Sequence, residues 1–164
     1  MRIAMLVLVL CALAAPLALA DGPSSDTGRP VEFTAPIVAV EAGDRITVRH
    51  DGRTETIRLS DIICPQPGQP FADQAREFAA RLASGQQATL TVFRRDPFGQ
   101  TVALVTLADG TVLNHELVKA GLAWWQRNYS TDPETERLEA EARVARRGLW
   151  ADPKPVPPWE FKPR

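Results

Sequence analysis

The residues that could do chemistry in this chain concentrate in one stretch, residues 58–66, which reads Arg-Leu-Ser-Asp-Ile-Ile-Cys-Pro-Gln. Its Cys64 could be a reactive thiol if the side chain were exposed. We favour a buried Cys64 that behaves as a small apolar residue. A residue before a proline tends to be extended, and a strand end can turn its side chain into the core.

The histidines and cysteines do not form a transition-metal site of a common type. The chain has two histidines, His50 and His115, and two cysteines, Cys11 and Cys64, with no Cys-x-x-Cys motif and no histidine cluster. We expect each histidine to lie at the surface or to be held by a partner. Cys11 falls in an N-terminal segment that we expect to be removed, so Cys64 is expected to have no internal disulfide partner.

Residues 1–20 are typical of a secretory signal peptide. They contain Arg2, an apolar run over residues 3–14, and an Ala-Leu-Ala cleavage motif at residues 18–20. The run is too short and wrongly flanked for a transmembrane span. We therefore expect an exported protein, periplasmic or secreted, with no membrane span in the mature chain. Retention of Cys11 as a lipid anchor is the less favoured alternative, because Leu10 replaces the small residue that a lipoprotein signal requires.

Length and charge limit the function classes. A chain of 164 residues with 19 basic and 20 acidic side chains makes one ordinary domain of slightly negative charge. Proteins dedicated to nucleic-acid binding usually carry a basic excess, so a nucleic-acid partner is not favoured. With no disulfide, stability must come from packing, and we expect a monomer.

Sequence periodicity and turn signals predict short strands, tight turns and few helices, which favours an α+β fold built on a five-stranded barrel. We divide the chain into a signal peptide (1–20), a flexible leader (21–34), a folded domain (35–150) and a proline-rich tail (151–164) that wraps the surface. The predicted elements are strands at 36–41, 45–50, 54–59, 87–93 and 101–107, helices at 71–84 and 114–120, and a helix that a Thr131–Glu134 capping box opens and Gly148 ends.

Several motifs, spread over residues 35–160, resemble the staphylococcal-nuclease-like (thermonuclease) family of calcium-dependent phosphodiesterases. The motifs are Gly43-Asp44, residues 58–66, Gln69-Pro70-Phe71, residues 96–100 (Asp-Pro-Phe-Gly-Gln), residues 117–123 and residues 148–153. The resemblance implies an OB-fold barrel with three helices.

The resemblance also implies a calcium site. Family members hold calcium with carboxylates at the positions of Asp44 and Ile63 and with the backbone carbonyl at the position of Cys64. Calcium takes six to eight oxygen ligands, so an isoleucine in place of a carboxylate is a severe loss. Asp44 keeps the family residue type, although it could also persist as a turn residue that bonds its own backbone.

The remaining family positions concern catalysis and substrate binding. Gln66 replaces the family's catalytic glutamate and cannot accept a proton. Arg58 keeps one phosphate-binding arginine, or it could be a strand residue that pairs with a nearby acid, while Gln100 replaces the other arginine. Tyr129 matches a tyrosine that packs on the nucleotide base, although an aromatic beside Trp124 and Trp125 is more often a packing residue.

We therefore expect an exported thermonuclease-like domain that has lost phosphodiesterase activity, a pseudoenzyme that acts as a binding or scaffolding module with no cofactor. Its partner would be an envelope protein or another ligand. The alternative is an active calcium-dependent nuclease that cleaves DNA or RNA with a rearranged site, in which a two-residue slip brings Asp61 to the position of Ile63. A third class, a cell-envelope assembly factor, depends only on export and the missing catalytic residues.

Overall fold

The computed structural model describes residues 30–163 of the chain. The predicted signal peptide (1–20) and most of the predicted leader (21–34) therefore lie outside the described residues. Within the described part, no helix is both long enough and apolar enough to cross a membrane.

Five strands close into a barrel in the order β1, β2, β3, β6, β5, and three helices pack around it. This confirms the α+β fold with an OB-fold barrel. The elements in chain order are β1 (Val31–Ala42), β2 (Arg45–His50), β3 (Arg53–Leu59), β4 (Ile62–Ile63), α1 (Ala72–Ala83), β5 (Gln87–Arg95), β6 (Thr101–Leu107), α2 (Leu113–Lys119), β7 (Trp124–Trp125), α3 (Pro133–Val144) and a 3₁₀ turn (Gly148–Ala151).

The barrel forms because its strands alternate apolar and polar residues, so one face of each strand turns inward. Ile46, Val48 and Ile57 come from the β2–β3 hairpin and are completely buried. The hairpin turns at Asp51-Gly52, between the strands predicted at 45–50 and 54–59, and both turn residues have positive φ angles. Strand β3 then pairs parallel with β6.

The first strand is longer than predicted. It begins at Val31, five residues before the predicted start at residue 36, and its first half pairs antiparallel with β5 from Val31 opposite Val92 to Pro36 opposite Gln87. Residues 31–34, predicted to belong to the leader, are thus part of the barrel. The predicted start of the strand is too late because Pro36 was interpreted as its first residue.

Helix α1 packs on the barrel through a stripe of alanines. Its fully buried residues are Ala75, Ala79 and Ala83, while Phe78 and Leu82 are only partly buried. The small alanines let the helix approach the barrel closely, and the larger side chains lie on either side of the contact. Phe71 precedes the helix as its N-cap with a φ of 70°.

The predicted capping box of the last helix is wrong. The N-cap is Asp132, whose carboxylate accepts hydrogen bonds from the backbone N–H groups of Glu134 and Thr135, and Pro133 stands at the first helical position as expected. Leu138 and Ala142 lie on the buried face of the helix, and Ala145 is exposed.

Two glycines allow a close approach between the chain segments that follow α2 and α3. A Cβ atom on Gly121 would lie 2.2 Å from the carbonyl oxygen of Arg147, and one on Gly148 would lie 2.3 Å from the carbonyl oxygen of Gly121. Both glycines also have positive φ angles, which favour glycine. The proline-rich tail then returns to the loop before α1, where Gln69 donates to the carbonyl of Val156 over 3.1 Å.

Candidate functional site

The β1–β2 turn places Asp44 against the loop that follows β4. Gly43 permits this approach, because a Cβ atom there would lie 2.7 Å from Cys64 Sγ and 2.8 Å from Ala75 Cβ. The Asp44 carboxylate is 5% exposed, and its Oδ2 accepts a hydrogen bond from the backbone N–H of Cys64 at 2.9 Å. The turn and the loop are thereby joined through one buried carboxylate.

Burial and charge act on Asp44 in opposite directions. Burial raises the pKa of the carboxyl group, while the Cys64 hydrogen bond and the charges of Arg58 and Arg45 lower it, and the net pKa is raised. The two arginines stand opposite each other in the β2–β3 register. The structure thus brings the two retained family residues, Asp44 and Arg58, into one electrostatic neighbourhood.

Ile63 lies in an apolar environment. It stands opposite Trp124 in the short β4–β7 pair. It also packs against a buried cluster that contains Trp124, Leu149 and Trp150. The side chain at the family's second carboxylate position is therefore integrated into hydrophobic packing.

Gln66 bonds to the carbonyl group next to it. Its Nε2 donates to the carbonyl oxygen of Cys64 at 3.1 Å. Its backbone N–H donates to Oε1 of the buried Gln69 at 2.7 Å. The carbonyl oxygen to which the resemblance assigns a calcium bond is thus engaged by an amide.

Gln100 is placed by a turn before β6. Oδ1 of Asp96 accepts from the backbone N–H groups of Phe98 and Gln100, each at 2.9 Å. Val102, two residues on, stands opposite Arg58 in the parallel β3–β6 pair. The structure therefore places Gln100 at the end of the barrel that carries Arg58.

Comparisons with known proteins decide the family. Residues 56–152 match the family model described as staphylococcal nuclease homologue. The chain belongs to the staphylococcal nuclease family. It is 38% identical over 128 residues to an "Uncharacterized endonuclease" of Escherichia coli, which covers 78% of this chain and 84% of that protein. It is 33% identical over 141 residues to a "Micrococcal nuclease" of Shigella flexneri, which covers 80% of this chain and 81% of that protein.

The residues at this family's metal positions do not fit calcium. One carboxylate position is the aliphatic Ile63, the Cys64 carbonyl accepts from the Gln66 amide, and one oxygen of Asp44 is bonded to the Cys64 N–H. Residues 30–163 contain no group of three or more acidic, histidine or cysteine side chains arranged to hold a metal. A single carboxylate oxygen offers far fewer ligands than the six to eight that calcium takes.

Asp61 does not stand in for the missing carboxylate. It has a φ of 66°, and its carbonyl oxygen accepts from the backbone N–H of Gln126 at 2.8 Å. It borders a cavity of about 490 Å³ beside His115 and Asp132, whereas Ile63 borders a different cavity. The slip of two residues considered from the sequence is not present.

The expectations for the histidines and the thiol agree with the geometry. His115 Nε2 lies 3.1 Å from Asp132 Oδ2, and His50 stacks on Phe33 with ring centroids 4.0 Å apart. Cys64 is completely buried, as favoured from the sequence. Burial, and secondarily the Asp44 charge, raise the pKa of the Cys64 thiol, which disfavours the reactive thiolate.

Sequence reasoning missed one cavity formed by the described residues. It has a volume of about 680 Å³ and lies between β7, α3 and the proline-rich tail. Tyr129, 77% exposed, stands at its border and also borders the smaller cavity. The abundance of tryptophan was the only available signal, because the lining comes from four separate segments. The lining residues are Ile63, residues 124–129, Glu139, Arg143, Trp150, Pro155, Pro157 and Trp159.

Proposed function

We propose that this member of the staphylococcal nuclease family no longer hydrolyses phosphodiesters and acts as a binding or scaffolding module. The observation that carries the proposal is the hydrogen bond from Gln66 Nε2 to the Cys64 carbonyl oxygen, at 3.1 Å. The glutamine at position 66 supports the loss of both the general base and the metal site. The amide cannot accept a proton from water, and it engages an oxygen that a family metal would need.

The other two substitutions act on separate parts of the reaction. Ile63 contributes no ligand and packs against tryptophans. Gln100 cannot supply the cationic, two-point contact with which an arginine stabilises phosphate charge. Removing a metal ligand, a general base or a charge-stabilising group typically costs an enzyme orders of magnitude in rate, although such effects do not add.

A binding role is supported by what the fold retains. The barrel is closed around a cluster of buried apolar residues, so the substitutions at the reaction centre leave the scaffold whole. Fold and function are separable in this way. The proposed setting outside the cytoplasm rests on residues 1–20, and the proposed partner is an envelope protein or a ligand of the envelope.

An active calcium-dependent nuclease is the competing function. The names of the two relatives favour it, and so does the retention of Asp44 close to Arg58. Against it stand the isoleucine at a metal position and the different location of Asp61.

A cleavage assay distinguishes the two functions. The purified protein is incubated with single-stranded DNA and with RNA from about pH 7 to about pH 10 with millimolar calcium, a range that covers the ionisation of a general base. We expect no calcium-dependent cleavage above that of buffer. Cleavage that Arg58→Ala abolishes would overturn the proposal in favour of the nuclease, because a contaminating enzyme would not respond to this substitution.

A further inference from the structure

The cavity between β7, α3 and the tail, which we name the tryptophan cavity, has the size and lining of a ligand site. Its volume of about 680 Å³ lies in the range of small-molecule sites. Trp124 and Trp150 form its buried wall, and their rings meet edge to face with centroids 5.6 Å apart. Trp159 also lines the cavity and is 61% exposed. The cavity thus offers both buried and exposed indole surface.

The charges around the tryptophan cavity sum to a positive surplus. Glu139 is the one acid in the lining, and it is 2% exposed. Both of its oxygens are engaged: Oε1 accepts from the Trp125 backbone N–H at 3.2 Å and from Arg143 at 3.3 Å, and Oε2 accepts from Arg127 at 2.9 Å. Two guanidinium groups therefore surround one satisfied carboxylate.

Both arginines have capacity left for a ligand. The side chains of Arg127 and Arg143 are 62% and 44% exposed. Each holds Glu139 with a single terminal nitrogen, although a guanidinium carries five N–H donors. The arginines also lie over indole rings, with Arg143 Cζ 3.7 Å from the Trp150 ring centroid and Arg127 Cζ 5.5 Å from that of Trp125. Each guanidinium therefore has a cation–π contact beside the cavity.

We propose that the tryptophan cavity binds a small organic anion with a planar apolar body, such as an aromatic carboxylate. The ring would lie against the tryptophans, and the carboxylate would take hydrogen bonds from the free guanidinium donors. Ile63 contributes to this cavity, so the residue that removes a metal ligand also adds apolar wall. The inference names a ligand class for the proposed binding role and rests on that role.

The test compares two probes of nearly equal shape, naphthalene-2-carboxylate and naphthalene-2-carboxamide. Calorimetry with the purified protein measures both dissociation constants, and quenching of tryptophan fluorescence gives a second readout. We expect saturable binding of the carboxylate and binding of the uncharged carboxamide that is about tenfold weaker, since hydrogen bonds to a charged acceptor are about twice as strong.

Variants locate the binding. Arg127→Gln leaves Glu139 paired with Arg143, and it is expected to weaken carboxylate binding about tenfold while leaving the carboxamide unchanged. Trp159→Ala lies outside the ion-pair network and should weaken both probes. Phe98→Ala removes an aromatic that is 87% exposed and does not line the cavity, so it is the matched control and should change neither.

Three results would overturn the inference: no saturable binding of the carboxylate, equal affinity for both probes, or carboxylate binding unaffected by both Arg127→Gln and Trp159→Ala. Far-ultraviolet circular dichroism checks the fold of each variant. If Arg127→Gln is unfolded, the effect of Trp159→Ala on carboxylate binding tests the inference instead. The cleavage assay is independent of these titrations. Cleavage of DNA or RNA would refute only the proposed loss of catalysis. Titrations without saturable binding would refute only the ligand site in the tryptophan cavity.

Discussion

The carboxylate of Asp44 accepts the backbone N–H of Cys64 at 2.9 Å and so joins the β1–β2 turn to the loop after β4. The same loop directs the Cys64 carbonyl oxygen to the Gln66 amide. Asp44, which keeps the family residue, therefore bonds to the N–H of Cys64. Gln66, which replaces the family's catalytic glutamate, bonds to the carbonyl of the same residue. Both backbone polar groups of Cys64 therefore have hydrogen-bond partners within the protein.

Calcium should not stabilise the protein. Asp44 is the only carboxylate left at the family's metal positions, and one of its oxygens is already bonded. A ligand that binds the native state raises the melting temperature. The melting temperature should therefore be the same with and without millimolar calcium. The melting temperature of Asp44→Asn should likewise not change when calcium is added. A calcium-dependent rise that Asp44→Asn removes would contradict the proposed loss of the metal site.

Restoring the three family residues should recover calcium binding. The triple variant Ile63→Asp, Gln66→Glu and Gln100→Arg adds two carboxylates near Asp44 and frees the Cys64 carbonyl from its amide partner. Calcium affinity by calorimetry, and cleavage of single-stranded DNA, are the readouts. Partial recovery is expected, because supporting contacts around a site also set its geometry.

The double variant Gln66→Glu and Gln100→Arg is the matched control for that experiment. It keeps Ile63, so it should bind calcium more weakly than the triple variant. A folded triple variant that neither binds calcium nor cleaves DNA would show that the cleft differs from that of active family members in more than these residues.

Asp132 should stabilise α3, and Thr131 should not. Asp132→Ala removes the N-cap and its bond to His115, so we expect a loss of about 1 kcal/mol or more in the free energy of unfolding. Thr131→Ala, one residue away and exposed, should change it by less than about 0.5 kcal/mol. Urea unfolding measures both, and the reverse order would restore the capping box predicted from the sequence.

The contribution of Asp132 should also depend on pH. Partial burial raises its pKa, but hydrogen bonds from Thr135, His115 and Glu134 outweigh burial, and the net pKa is lowered. A lowered pKa stabilises the native state above the unfolded value of about 3.9 and loses that effect as the pH falls through the folded value. The difference between wild type and Asp132→Ala should therefore be full at neutral pH and shrink in acid.

Glu139 should be the most sensitive charged residue of α3. Glu139→Gln keeps the size of the side chain but removes the charge that Arg127 and Arg143 contact, so we expect a loss of about 1–3 kcal/mol. Glu136→Ala, on the exposed face of the same helix, should cost less than about 0.5 kcal/mol. Equal losses from denaturant unfolding would show that the ion pairs contribute nothing.

Cys64 should be unreactive in the native protein. The side chain is completely buried and contacts the β1–β2 turn at Gly43. Thiol labelling of native protein should be slow and should become rapid in denaturant, and non-reducing electrophoresis should show a monomer. Rapid native labelling, or a dimer that Cys64→Ser abolishes, would make a redox or covalent-partner role the leading hypothesis.

The parts of the fold with a clear sequence period were predictable. The β2–β3 hairpin follows from alternating residues around Asp51-Gly52. The two-residue strands β4 and β7 were not predicted, because two residues carry no period. The cap of α3 was assigned one residue too early, since Thr131 and Asp132 are both good capping residues and only the backbone conformation selects between them.

The site residues were predictable as positions, but their contacts were not. The motifs identified Gln66 and Ile63 as substitutions. The amide bond to the Cys64 carbonyl and the packing of Ile63 against Trp150 depend on tertiary structure. The tryptophan cavity was missed for the same reason, since Ile63, Glu139 and Trp159 are far apart in the chain.

Ile63 belongs at once to the family's metal position and to the wall of an aromatic cavity. An aspartate placed there alone would remove apolar side-chain surface that packs against the cluster of Trp124 and Trp150, and this loss of hydrophobic burial destabilises the folded state. Single-step reversal toward an aspartate is therefore penalised before Gln66 or Gln100 has changed. The packing of Ile63 therefore stabilises the substituted form of the site against a return to the family's aspartate by a single substitution.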